Sequence, residues 1–148
     1  MRILGAVGVV CLLVGADPAA DAVKKDMAAM EGEWDLIDGE RDGLKFSEED
    51  QKAKPMKREV KDGVSTVTAG GELVIKSKFT VDPGKKPREI DFEATEGAAA
   101  GTKIHGIYEF DGDTLKLCLT GADKDRPTDF TAKADSGRTL TVWKKAKK

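Results

Sequence analysis

The sequence predicts an all-β protein, an antiparallel up-and-down β-barrel of about eight or nine short strands with one or two short helices. Three observations carry this. The stretch Gly106–Cys118, GIYEFDGDTLKLC, alternates apolar and polar residues on both sides of Asp111-Gly112-Asp113, the strongest local signal for a hairpin. Weaker copies of that alternation follow one another along the chain, with turn residues between them. No segment of crossover length separates consecutive strands, which excludes a parallel sheet. A meander this long leaves open edges unless it closes, and barrel closure removes them. About eight strands enclose an interior that side chains fill or that holds one small ligand.

Taken in order, Met1–Ala16 reads as a signal peptide. Arg2 supplies the positive start, and Ile3–Val14 is an apolar run too short to span a bilayer. Val14-Gly15-Ala16 offers the small residues a signal peptidase reads, with cleavage as late as residue 22 also compatible. The expectation is a chain exported to the periplasm or beyond, not membrane-spanning, with a single domain over 17–148. Cys11 lies inside the apolar run behind bulky Val10, which is the wrong context for lipid attachment. Its removal leaves Cys118 alone, without an internal disulfide partner.

Val23, Met27 and Met30 line one side of a short helix, stopped by Gly32, that would pack across one end of the sheet. Glu33–Ile37 is the first strand, with Trp34 and Leu36 on one face. Ser47-Glu48-Glu49-Asp50 has the form of an N-cap with an acidic first turn, and Pro55 bounds a helix of about two turns. Met56–Lys61 and Val64–Thr68 are polar strands joined at Asp62-Gly63, and Gly70-Gly71 turns the chain again. Leu73–Val81 points Leu73, Ile75, Phe79 and Val81 inward, with Ser77 as the polar exception. Asp82-Pro83-Gly84 is a turn, and Arg88–Ala94 carries Ile90 and Phe92 inward. A small-residue loop, Gly97–Gly101, leads into the central hairpin. After the polar loop Gly121–Asp125, Thr128–Lys133 reads as a strand with Phe130 and Ala132 inward. Asp135-Ser136-Gly137 turns into Thr139–Lys144, with Leu140 and Val142 inward.

The central hairpin has two registers. A turn at Asp111-Gly112 pairs His105 with Cys118. A turn at Gly112-Asp113 pairs Glu109 with Lys116 and Ile107 with Cys118. Cross-strand charge favours the second and the Asp-Gly turn the first.

Charged residues make up 35% of the 148, yet 25 basic side chains face 27 acidic ones and the net charge is −2. No concentrated positive face is available for nucleic acid, so none is expected as a partner. The basic Lys144–Lys148 end reads as a solvated tail.

Gly32-Glu33-Trp34, in the first strand behind a short helix, resembles the glycine–any–tryptophan signature of the calycin group of lipocalins and their relatives. A second resemblance runs through nearly the whole chain after residue 16. It is carried by Gly32-Glu33-Trp34, Glu40-Arg41-Asp42-Gly43, Phe79–Pro87 with Ile90-Asp91, Gly106–Cys118 and Arg126-Pro127-Thr128-Asp129-Phe130. These segments resemble a family of small secreted lipocalin-like domains of unknown function, abundant in planctomycete bacteria. The resemblance implies a lipocalin-like barrel and export, and it supplies neither a reaction nor binding residues. In lipocalins the equivalent of Trp34 often stacks with an arginine, and Arg126 and Arg138 are the candidates here.

Chemistry-bearing constellations are weak. One His and one Cys, His105 and Cys118, do not fill a structural zinc site, and a flat sheet face gives a thiol neither activation nor a cleft. Asp111, Asp113, Asp123, Asp125 and Asp129 lack the order of a calcium loop and suit turns. No phosphate loop or nucleophile elbow is present. The expectation is a non-enzymatic protein with no catalytic residue, metal or cofactor. Its barrel interior would bind a small apolar or amphipathic molecule along Leu36, Ile75, Ser77, Phe79, Val81, Phe92, Tyr108, Phe110 and Leu117, with Tyr108 and Ser77 as polar contacts. The alternative is a filled barrel acting as a structural or protein-interaction module of the cell envelope, its protein partner unknown.

Overall fold

A computed structural model describes residues 17–121 and 124–147. The expected signal peptide lies outside the described residues. Helix α1, Pro18–Met30, opens with Asp17 as N-cap, its carboxylate accepting from the Ala19 N–H at 3.0 Å, and with Pro18 at the first position. It begins five residues before the predicted Val23, because cap and proline extend the helix beyond its apolar stripe. Among the described residues nine strands follow: β1 Gly32–Arg41, β2 Leu44–Lys45, β3 Met56–Lys61, β4 Val64–Ala69, β5 Glu72–Asp82, β6 Arg88–Gly97, β7 Lys103–Asp111, β8 Thr114–Thr120 and β9 Arg138–Lys145. Helix α2, Glu48–Ala53, has the predicted cap, with the Ser47 hydroxyl accepting from the Asp50 N–H.

All pairings are antiparallel. Strands β3 to β9 follow in sequence order, β1 joins β3, and β1 also pairs with β9. That last pairing closes an eight-stranded barrel, and β2 extends β1 as an extra strand. The predicted barrel is thus present, with two differences in its membership. Strand β1 runs on past the predicted Ile37 to Arg41, and the positive-φ pair Asp42-Gly43 turns it into the short extra strand β2. Thr128–Lys133 is not a strand. It belongs to a segment laid across the outside of the barrel, where Gly43 N–H donates to the Ala132 carbonyl at 2.6 Å.

The central hairpin takes the second register, with Glu109 opposite Lys116 and Ile107 opposite Cys118. Gly112 is the first turn residue with φ 58°, the position a type II′ turn reserves for glycine. Lys116 Nζ lies 3.2 Å from Glu109 Oε1, the pair that argued for this register.

Two inward assignments are corrected. Leu73 is 46% exposed rather than inward, because a bulge between Val67 and Thr68 makes Val74 an extra residue and flips the alternation. On β9 the face is inverted: Thr141 and Trp143 are buried inward, opposite Leu117 and Leu115, while Leu140 and Val142 face out. Leu140 and Val142 stay half-buried on the outer face, so this orientation places the indole in the core, with its Nε1–H bonded to Thr141 Oγ1, without fully exposing them.

The buried core is one cluster of Met30, Trp34, Val60, Val67, Phe79, Val81, Ile90, Phe92, Tyr108, Leu115, Leu117 and Trp143, with Val23 and Met27 of α1 packed against it. The predicted role of the helix as a cover over one end is therefore realised.

Candidate functional site

The opposite end of the barrel is open. A cavity of about 560 Å³ enters it, lined on its apolar side by Met56, Val67, Ile75, Ile104 and Leu119, with Phe46 at the rim. Phe46 reaches that rim because β1 carries Gly39 beneath it. A Cβ at Gly39 would stand 2.3 Å from the phenyl ring. Threonines 102, 120, 139 and 141 add hydroxyls to the wall.

Arg58 lies at the inner end of this cavity and also borders a void of only about 10 Å³ among Val60, Phe79, Phe92, Leu115 and Leu117. It marks where the open mouth gives way to the filled core. Its position follows from period-2 alternation, since Met56, Arg58 and Val60 share the inward face of β3. The residue is 7% exposed. Its Cζ sits 4.6 Å from the Trp143 ring centroid and 5.7 Å from that of Phe92. Nη1 donates to Ser65 Oγ at 2.5 Å, and Nε has no hydrogen-bond partner. Among the described residues no carboxylate forms an ion pair with it. Burial pulls the guanidinium down to about 10, which leaves it charged at neutral pH.

Burying an ion costs several kcal/mol even after relaxation. A desolvated cation–π contact returns about 2 kcal/mol, and one hydroxyl adds no negative charge. The charge of Arg58 is therefore incompletely compensated. A second cation, Arg41, stands at the rim with Nε donating to Thr139 Oγ1 at 3.2 Å. Among the described residues the one carboxylate on the cavity wall, Asp42, accepts from the Gly137 N–H at 2.6 Å.

Of the nine residues predicted to line a ligand site, Ile75 borders the mouth cavity. Ser77, Phe79, Val81, Phe92, Tyr108 and Leu117 are buried in the packed barrel, and Leu36 packs against that core. Phe110 packs against the core too and borders a second cavity of about 590 Å³, outside the barrel between α1 and the turns beside it. The buried charge there is already matched: Asp26 Oδ2 accepts from the Tyr108 hydroxyl at 2.7 Å and pairs with Arg88 at 3.2 Å. Burial raises the Tyr108 phenol well above its ordinary value, and the hydrogen bond to Asp26 adds to the rise.

Trp34 does plug the α1 end, 2% exposed, with its Nε1–H donating to the Met30 carbonyl at 2.9 Å. The cation on its ring is Lys145, 4.8 Å from the centroid, and not Arg126 or Arg138. Arg126 instead ties the outer segment to β6 and β7, donating to the Gly106 carbonyl at 2.9 Å and to Asp91 at 2.7 Å. Arg138 pairs with Asp129 at 2.8 Å.

His105 and Cys118 do not meet. His105 Nδ1 lies 2.6 Å from Asp91 Oδ1 on the neighbouring strand. Cys118 is fully buried beneath the outer segment, its thiol donating to the Thr131 carbonyl at 3.4 Å, and burial pushes that thiol up from its ordinary value. Among the described residues no group of three or more His, Cys, Asp or Glu side chains is placed to hold a metal ion. No described helix is long and apolar enough to cross a membrane.

Comparison of the chain with family models, curated proteins and solved structures returned no match.

Sequence reasoning missed Arg58, Asp26 and Trp143. The signals were there: Arg58 interrupts an inward row, and Asp26 falls within the Val23–Met27–Met30 stripe. Trp143 alternates with Thr141.

Proposed function

We propose that this chain is an exported, non-enzymatic lipocalin-like domain that binds one small apolar or amphipathic molecule in the open mouth of its barrel. The observation that carries the reading is the difference between the two ends. One end is covered by α1 and packed, and the other holds a cavity of about 560 Å³, within the size range of small-molecule sites. The wall supplies apolar contacts from Met56, Val67, Ile75, Ile104 and Leu119, with hydroxyls and one buried cation as orienting groups. The ligand belongs in this half, because Phe79, Phe92 and Leu117 leave a void of about 10 Å³ in the other. That dense half favours, as a second reading, a structural or interaction module of the cell envelope. The raised thiol of Cys118, sealed from solvent, supports a non-enzymatic role. The positive start and short apolar run of Met1–Ala16 support export.

Native mass spectrometry before and after organic extraction tests the proposal. A discrete added mass that extraction removes is the expected result. A single unliganded mass in both samples transfers the case to the envelope module.

A further inference from the structure

Arg58 has no counter-charge among the described residues. It is a cation more than nine-tenths buried, it lines the mouth cavity, and its Nε lacks an acceptor. Two aromatic rings hold the guanidinium in place without neutralising it. Among the described residues the one wall carboxylate, Asp42, is turned to the Gly137 N–H, and the rim adds a further positive charge in Arg41. A neutral apolar ligand would leave this arrangement unexplained, and a cationic one would be repelled by it.

We propose that the ligand is an amphipathic monocarboxylate, with its head at Arg58 and its apolar chain along Met56, Val67, Ile75 and Ile104 towards the mouth. This rests on the binding reading above and names its ligand class. The geometry suits a carboxylate because a guanidinium presents paired N–H donors to two oxygens. Charge balance selects it over a phosphate monoester. A single buried cation matches one negative charge, whereas a phosphate carries about −1.5 to −2 and would bury a surplus. Thr139 and Thr141 line the same wall, and their hydroxyls, which accept from Arg41 and Trp143, keep their own protons for a polar head.

The test measures dodecanoate, dodecanol, dodecyl phosphate and dodecylamine on the purified protein, each by calorimetry and by displacement of the neutral dye N-phenyl-1-naphthylamine. Dodecanoate is expected to bind about 10- to 100-fold more tightly than dodecanol, the range of one charge-assisted hydrogen bond. Dodecylamine is expected to be the weakest. In Arg58→Met the gap between acid and alcohol closes while dodecanol still binds. Arg58→Lys keeps the charge without the planar fork and retains part of the gap, which decides the question should the methionine variant not fold. Equal affinity for acid and alcohol in the unmodified protein overturns the carboxylate assignment and leaves the mouth cavity standing. Tighter binding of dodecyl phosphate than of dodecanoate overturns the choice of head group. Persistence of the gap in Arg58→Met moves the head elsewhere and overturns the role of Arg58. Binding of none of the four compounds overturns the cavity reading and this inference together.

Discussion

The guanidinium of Arg58 stacks on the indole of Trp143, with Cζ 4.6 Å from the ring centroid, and no carboxylate among the described residues pairs with it. The two residues come from strands far apart in sequence, and barrel closure brings them together. Each depends on the other, since the indole shields the cation and the cation fixes the ring face. Trp143 is further held by its own Nε1–H, which donates to Thr141 Oγ1 at 2.8 Å.

That relationship makes a prediction about stability. An incompletely compensated buried charge lowers the stability of the folded state, so a well-packed apolar replacement of similar length relieves it. Arg58→Met in the ligand-free protein is expected to be neutral or to stabilise by about 1–4 kcal/mol. Urea denaturation of delipidated protein reads it. A loss of more than about 2 kcal/mol would mean that stacking on Trp143 and Phe92 outweighs the burial cost.

Tyr108 makes a second prediction, helped by being the single tyrosine of the chain. Its phenol is buried and bonded to Asp26, so its folded pKa lies above the ordinary 10. The sign follows: the unfolded chain ionises first as pH rises, so the folded state loses stability above about pH 10. The phenolate absorbance near 295 nm is then expected to appear only together with unfolding. Phenolate formation in a protein that keeps its folded circular dichroism would contradict this. Tyr108→Phe removes a donor from a buried carboxylate and is expected to cost about 1–3 kcal/mol at neutral pH.

Asp91 makes a third, at the acid end. Burial alone would raise its carboxyl, but the hydrogen bonds from His105 and Arg126 outweigh burial and hold it below the ordinary 3.8. A depressed carboxyl contributes stability above its unfolded value, and that contribution disappears as pH falls through the folded one. In Asp91→Asn, thermal denaturation between pH 7 and pH 2 should show a melting temperature below that of the parent at neutral pH. The gap should close below about pH 4. A gap that stays constant over the range would place the effect of Asp91 outside its charge. The site is partly exposed, so the neutral-pH gap is expected to be small.

How legible the molecule was from its chain can be judged strand by strand. The antiparallel architecture, the cap of the second helix, and the cover over one end were readable, because each rests on residues close together in sequence, whereas the Asp17 cap of α1 was not read. Ser47 caps the helix that starts at the next residue, and Glu109 and Lys116 face each other across one turn. In β5, local alternation failed at Leu73, where a bulge inserts Val74 and reverses the facing of what precedes it. A bulge answers to the strand alongside and leaves little trace in its own sequence.

What the sequence by itself determined is the period-2 order of the strands, the turns between them and the apolar face they share. Which face of β9 turned inward was decided by the tertiary structure, because closure against β1 and β8 places Trp143 opposite Leu36 and Leu115. Closure also decided that Arg58 is buried without a counter-charge among the described residues, and that the barrel is filled at one end and open at the other. The physical reason is one of range. Hydrogen-bonded turns and alternation are satisfied within a few residues, whereas burial and charge compensation depend on side chains that only the closed barrel brings face to face.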